Sequence, residues 1–418
     1  MPDCGSGHLW IAEIRVDETT FYFNICRRLM KKRTRLGHSG RNPFENHGIV
    51  NPPVNHASTI LFPTVDELLN RYKSGDYQKT MTYGIRGTPG VFGFLDSIAE
   101  LEGGDRCIAY PSGLSAITGA LLSFLKPGDH VLVTDSAYEP TRNFADGLAY
   151  RLGIETTYYD PLIGADIASL IQPNTKVVLT ESPGSWTFEV QDIPAIAKAA
   201  HAANCVVMLD NTWSGGLYYA AFDHGVDISI QAATKYICGH SDVMLGTVVC
   251  KESHFKPLYD TWNQLGLSVA PDDIYLVHRG LRTMEVRLER HQINALKIAK
   301  WLEAHPAVDR VLYPALESDP GHELWKRDFT GASGLMGFVL KSKSREGLAA
   351  MLENMALYGM GYSWGGFESL LIPTFPRKFR TATTWEDKGQ CMRLHAGLED
   401  VDDLIDDLSA GLDRYMKY

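Results

Sequence analysis

From about residue 88 onward, short apolar runs alternate with longer stretches of mixed polarity. Residues 107–110 (CIAY), 130–134 (HVLVT), 176–180 (KVVLT), 205–209 (CVVML) and 226–230 (VDISI) are short and rich in β-branched residues. That pattern predicts buried strands. Between them, 141–152 and 193–203 space their apolar residues as helices do, and the run that ends at Glu102 stops at Gly103 and Gly104. Continuously apolar strands alternating with helices predict parallel strands covered on both faces, joined by right-handed crossovers. The expected class is a doubly wound α/β domain over residues 88–280, with a mainly parallel sheet.

The pattern then changes. Residues 271–305 place Leu281, Met284, Leu288, Ala295, Ile298 and Leu302 on one helical face. This predicts one long helix leading into a smaller C-terminal α/β domain, 281–418. That domain has expected strands at 310–313 and 335–340. It closes on a helix with Val401, Leu404, Ile405, Leu408 and Leu412 on one side and four aspartates on the other. Residues 1–87 form an extension and an arm. The basic run at 31–41 is expected to be a solvated face, and Met30 is an expected start, with 1–29 upstream of it.

Composition narrows the class. The chain has 418 residues, 44% hydrophobic and 22% charged, with a formal charge of −10 at pH 7. A net negative charge disfavours nucleic acid as a partner. Seven cysteines are scattered with no CxxC pair, which points away from disulfides and structural zinc and towards a reducing, cytoplasmic setting. No apolar run approaches the ~20 residues of a membrane span.

The chemistry concentrates at 229–246 (SIQAATKYICGHSDVMLG). Lys235 stands between a small-residue run and a Gly-His-Ser-Asp turn, just after an expected strand. Upstream, the run 206–209 ends in Asp210. An aspartate closing one buried strand and a lysine following the next suggest a cofactor held at the polar ends of a sheet. At 110–116, a strand runs through Pro111, Ser112 and Gly113 into a small-residue helix, a geometry that offers backbone N–H groups to a phosphate.

These motifs resemble those of a family. ELEGG (100–104), AYEP (137–140), DPLIGADI (160–167), ESPGS (181–185), DNTW (210–213), QAATKY with GHSD, GLRT (280–283), WKRDFTG (325–331), YSWGGFESL (362–370) and RLHAGLEDVDDLI (393–405) occur in one order over about 35–418. The chain resembles the Cys/Met-metabolism enzymes that use pyridoxal 5'-phosphate (PLP), of fold-type I. The lysine segment and YSWGG point to the β-lyase branch.

The resemblance implies the following roles. Lys235 carries the cofactor covalently and then serves as general base, and as acid toward the leaving sulfur. Asp210 pairs with the ring nitrogen, and Tyr138 stacks on the ring and faces the substrate. The N–H groups of Gly113 and Leu114 and the Thr234 hydroxyl bind the phosphate. Arg393 clamps the substrate carboxylate, while Ser363 and Trp364 shape its pocket. Tyr83 reaches the neighbouring subunit's phosphate and assists in deprotonating the amine, so the site is shared between subunits of a homo-oligomer, expected to be a homotetramer. The implied activity is a carbon–sulfur lyase reaction of methionine biosynthesis, α,β-elimination of L-cystathionine. A cysteine-conjugate β-lyase, a γ-lyase or γ-synthase, an aminotransferase and a degenerate, non-enzymatic binding module are the alternatives. Two positions depart from the family. Ile85 stands where Tyr-x-Arg would place an arginine, leaving Arg86 for the phosphate or for the substrate's distal end. Asn263 stands where a tyrosine is usual.

Overall fold

The computed structural model describes residues 30–72, 76, 78–386 and 389–418. The proposed start at Met30 concerns 1–29, which lie outside the described residues. Seven strands form the larger sheet: β1 (Arg106–Tyr110), β2 (His130–Thr134), β3 (Glu155–Tyr159), β4 (Thr175–Glu181), β5 (Val206–Asp210), β6 (Ile228–Ala232) and β7 (Gly246–Cys250), in the order β1-β7-β6-β5-β4-β2-β3. The pairs β2–β3, β2–β4, β4–β5 and β5–β6 are parallel. Only β7 runs the other way, antiparallel to both β1 and β6.

Alternation along each strand explains the apolar runs. In β2, Leu132 faces one core while Val131 and Val133 face the other. In β5, Val207 and Leu209 face the first core and Met208 the second. Successive side chains point to opposite faces, so both sets must be apolar when helices cover both sides. The first core continues into a four-stranded antiparallel sheet, ordered β10-β11-β9-β8 and built from β8 (Val308–Leu312), β9 (Leu335–Leu340), β10 (Leu370–Thr374) and β11 (Cys391–His395).

Three sequence expectations are corrected. The segment 271–305 is two helices, Pro271–Leu281 and Met284–Glu303. The break falls where Gly280 presses on the chain at Ile237 and Cys238 so closely that a Cβ would lie 2.2 Å from the Cys238 carbonyl oxygen. Nearby, the Arg282 guanidinium donates to Leu36 O (2.6 Å) and Ser39 O (2.7 Å). Residues 141–152 are likewise not one α-helix: Glu139–Phe144 is α-helical and Ala145–Ala149 widens into a π-turn. The basic run is not simply solvated either. Helix Lys32–His38 buries Leu36, and Lys32 Nζ donates to Gly216 O at 3.0 Å. Burial there lowers the Lys32 amine to about 8.

Because β1, β2, β4, β5 and β6 share a direction, their carboxyl ends open on one edge. Asp135, just past β2, is fully buried and pairs with Arg142 at 2.9 Å, itself 5% exposed. It also accepts N–H bonds from Thr381, Ala382 and Thr383. Burial alone would raise the Asp135 carboxyl, but these donors hold it below its ordinary value. Asp135→Ala leaves a buried guanidinium and three amides without their acceptor. We expect a loss of about 3–5 kcal/mol, read as a lower denaturation midpoint; an unchanged midpoint would refute it.

Candidate active site

A cavity of about 560 Å³ lies at that edge. Its lining includes Gly113, Leu114, Tyr138, Glu181, Asp210, Thr234, Lys235, Ser363, Trp364 and Arg393. Nine of the residues singled out from the sequence therefore converge on one space, although they come from four strand ends of the larger sheet, one later loop and strand β11.

Each is placed by its element. Ser112 caps helix Gly113–Phe124 reciprocally with Ser115, which leaves the first N–H groups, at Gly113 and Leu114, without intrahelical acceptors. Gly113 lets this helix end lie on β6: a Cβ there would sit 2.6 Å from the Ala232 Cβ. Asp210 ends β5 beside Glu181, the last residue of β4. Asp210 Oδ1 accepts from the Thr212 N–H (3.0 Å) and hydroxyl (2.5 Å), and no bond among the described residues goes to Oδ2. Glu181 Oε2 accepts the Tyr138 N–H at 2.7 Å, and its other oxygen accepts the Ser185 hydroxyl. Burial raises the pKa of both carboxyls, and each one's charge opposes the other's, so the pair retains a proton more readily than free carboxylates do.

Lys235 Nζ donates to Ser363 Oγ at 2.5 Å and lies 5.3 Å from the Trp364 ring centre. Burial, assisted by the Arg393 charge, lowers its amine to about 8, against the pull of Asp210. Arg393 Nη2 donates to Ser363 O at 3.0 Å, and its guanidinium lies 5.0 Å from the Trp186 ring. Desolvation lowers Arg393 to about 10, which leaves it a cation at neutral pH. The Thr234 hydroxyl lines the cavity while exchanging bonds with the backbone of Leu245, accepting its N–H at 2.9 Å and donating to its carbonyl at 3.3 Å.

The loop carrying Ser363 is held in an uncommon conformation, with φ of 86° at both Ser363 and Gly365. A Cβ at Gly365 would lie 3.0 Å from the Lys235 carbonyl carbon, so glycine permits this approach. His395, two residues past Arg393 on β11, accepts the Gly365 N–H through Nε2 (3.1 Å), which leaves Nδ1 to donate to Glu368 O (3.1 Å). Burial keeps this imidazole neutral. His395, Glu181 and Trp186 were not singled out from the sequence. His395 lies within RLHAG and Glu181 within ESPGS, but nothing in their spacing reveals these contacts.

Two sequence-predicted site residues lie elsewhere within the chain. Tyr83 is 53% exposed and its hydroxyl accepts from Ser58. Arg86 Nη1 donates to the Tyr259 hydroxyl at 2.7 Å, and Arg86 and Ile85 line a different, smaller cavity. Asn263 belongs to helix Glu252–Gln264 and is absent from both linings.

The donor set suits PLP. It offers an amine of lowered basicity, a carboxylate with an oxygen to spare for a ring N–H, an aromatic wall and a helix N-terminus for a phosphate. The family model of the Cys/Met metabolism PLP-dependent enzymes matches residues 33–413. The chain belongs to that family. It is 51% identical over 382 residues to a putative cystathionine beta-lyase of Rhizobium johnstonii, covering 90% of this chain and 95% of the relative. It is 45% identical over 390 residues to the cystathionine beta-lyase MetC of Escherichia coli, covering 92% and 98%. A relative 42% identical over 395 residues, from Wolbachia pipientis, is an L-alanine/L-glutamate racemase, with 92% and 98% covered. Among solved structures, metB from Corynebacterium glutamicum superposes with a TM-score of 0.84 at 29% identity, covering 93% of this chain and 99% of the other. The fold is that of a PLP-dependent enzyme, as the sequence implied. Among the described residues, no helix is long and apolar enough to cross a membrane.

In cofactor-free protein, Lys235 should be acylated with a midpoint near pH 8; a midpoint near its ordinary 10.5 would contradict the burial argument. Glu181 has a raised folded pKa, so its contribution to stability is complete below its unfolded value of about 4.5 and is lost as the pH rises above it. Glu181→Gln should flatten that fall in denaturation experiments on the same protein.

Proposed function

We propose that the protein is a carbon–sulfur lyase that converts L-cystathionine and water to L-homocysteine, pyruvate and ammonia. The observation that carries this reading is the placement of a low-basicity amine and a half-buried guanidinium against one small loop, both bonded to Ser363. One can take a proton from Cα while the other holds the carboxylate on that carbon. The names of the E. coli and Rhizobium relatives support the same substrate.

Lys235, Asp210, Thr234 and the N–H groups of Gly113 and Leu114 would hold PLP, with Tyr138 against its ring. When bound, PLP supplies an electron sink for the pair left on Cα. The chain's own groups do the rest. Arg393 binds and orients the α-carboxylate. The Lys235 amine, unprotonated in useful amount near neutral pH, takes the Cα proton and can return a proton to the departing sulfur. Ser363 Oγ fixes where that amine points. Trp364, Tyr138 and Trp186 wall the space and limit water.

Tyr83 and Arg86 we assign to the neighbouring subunit's site, in a dimer at least and as part of a tetramer. The arm that carries Tyr83 exposes Phe44, Leu61 and Leu69, which suits burial against a second copy. A cytoplasmic location fits five described cysteines that are all buried.

Lys235→Ala should lower the rate of pyruvate release by about 10²–10⁴-fold, with pyruvate the keto acid from L-cystathionine. Release of 2-oxobutyrate would instead assign γ-elimination. D-alanine formed from L-alanine at a comparable rate would favour the activity of the Wolbachia relative. With Ile85 in place of a phosphate-binding arginine, Ile85→Arg should slow cofactor loss on dialysis; equal retention would show that Arg86 or other contacts compensate.

A further inference from the structure

One wall of the cavity is a turn that the reaction chemistry does not itself require. Trp186 and Phe188 both line the cavity, with φ of 70° and 60°. Bulky residues adopt the left-handed region only where their surroundings enforce it. Two backbone bonds close this turn: Phe188 N–H to Gly184 O and Gly184 N–H to Glu189 O, both 3.0 Å.

The residue between them is the handle. Thr187 donates its hydroxyl to Glu189 Oε2 and accepts from Arg380, whose guanidinium also meets Glu189 Oε1 at 2.6 Å. The Arg380 side chain is only 5% exposed. Its base is fixed as well, because the next three residues donate their N–H groups to the buried Asp135 carboxylate. At the other end of the turn, the Trp186 ring lies 5.0 Å from the Arg393 guanidinium. The indole N–H is buried and has no partner among the described residues. The ring's orientation therefore depends on the turn and on its packing, not on a bond of its own.

We propose that Arg380 is a positioning residue for substrate binding: by gripping the 186–188 turn it seats the Trp186 indole against Arg393, and so fixes the direction in which that guanidinium meets an α-carboxylate. This rests on the reading of Arg393 as the carboxylate clamp. Among the described residues Arg393 donates one hydrogen bond, to Ser363 O, so its plane is otherwise set by the aromatic ring beside it. A guanidinium free to rock would bind the carboxylate less well without changing how the Cα proton is removed.

The test uses the holoenzyme, with steady-state kinetics on L-cystathionine and cofactor absorbance as a check on loading. Arg380→Met and Trp186→Leu should each raise KM about three- to tenfold. Arg380→Met should change kcat less than about twofold, as expected for lost uniform binding. Arg380→Lys should recover part of the loss. The Arg380→Met/Trp186→Leu double variant should be no worse than the poorer single variant, since both act through one contact. An unchanged KM in either single variant, or effects that multiply in the double, would overturn the proposal. Should Arg380→Met not fold, Trp186→Leu still decides: an unchanged KM there overturns it. Arg393→Lys separates the two levels of the argument. If it leaves KM unchanged, the clamp reading fails and the proposal falls with it; if it alone raises KM, only the role of Arg380 is refuted.

Discussion

Two carboxyl groups stand side by side at the ends of adjacent parallel strands, Glu181 on β4 and Asp210 on β5, in the wall of one cavity. They cannot both be charged there without nearby cations and donors, and the surrounding structure supplies these. Thr212 serves Asp210, while Ser185 and the Tyr138 N–H serve Glu181. Lys235 follows the third strand in line, and its attraction to Asp210 opposes the desolvation of both. The same arrangement that makes the pair costly makes the site receptive to a cationic ring nitrogen. The polar edge of the sheet is thus a balance of charges set by residues of three neighbouring strands.

Rigid strands carry the charged groups, but two loops in left-handed backbone conformations bring them into register. One holds Ser363 and Gly365, and is pinned by Arg393 and His395 from alternate positions of β11. The other holds Trp186 and Phe188, and is pinned by Arg380. In both, a buried side chain from the C-terminal part of the chain fixes a turn that would otherwise relax. His395 does so as a neutral ring, with one nitrogen accepting and the other donating, so its hold does not vary across the physiological pH range.

The arm shows how poorly local composition predicts burial. A run rich in Lys and Arg reads as a solvated face, yet Leu36 enters a core and Lys32 reaches the carbonyl of Gly216. The contacts that achieve this come from the helix Pro89–Glu102 and from Gly216, 184 positions beyond Lys32. No local pattern announces them.

Much of this protein was determined by sequence alone. Apolar runs fixed most strands of the larger sheet, because strands covered on both faces must be apolar at successive positions. Lys235, Asp210, Tyr138 and Arg393 were legible because they sit in motifs whose residue types suit only a narrow chemistry. What the sequence left undecided were features set by distant contacts. Strands β3, β7, β10 and β11 were not singled out, and their pairing depends on neighbours, not on period. The break near Arg282 comes from Gly280 pressing on another loop. Glu181, Trp186, His395 and Arg380 gain their significance only where separate segments meet. Tyr83 and Arg86, plain in the sequence as members of a motif, lie away from Lys235 within one chain. Covalent order selects which residues are present at a site, but only the packing of remote segments decides which of them touch.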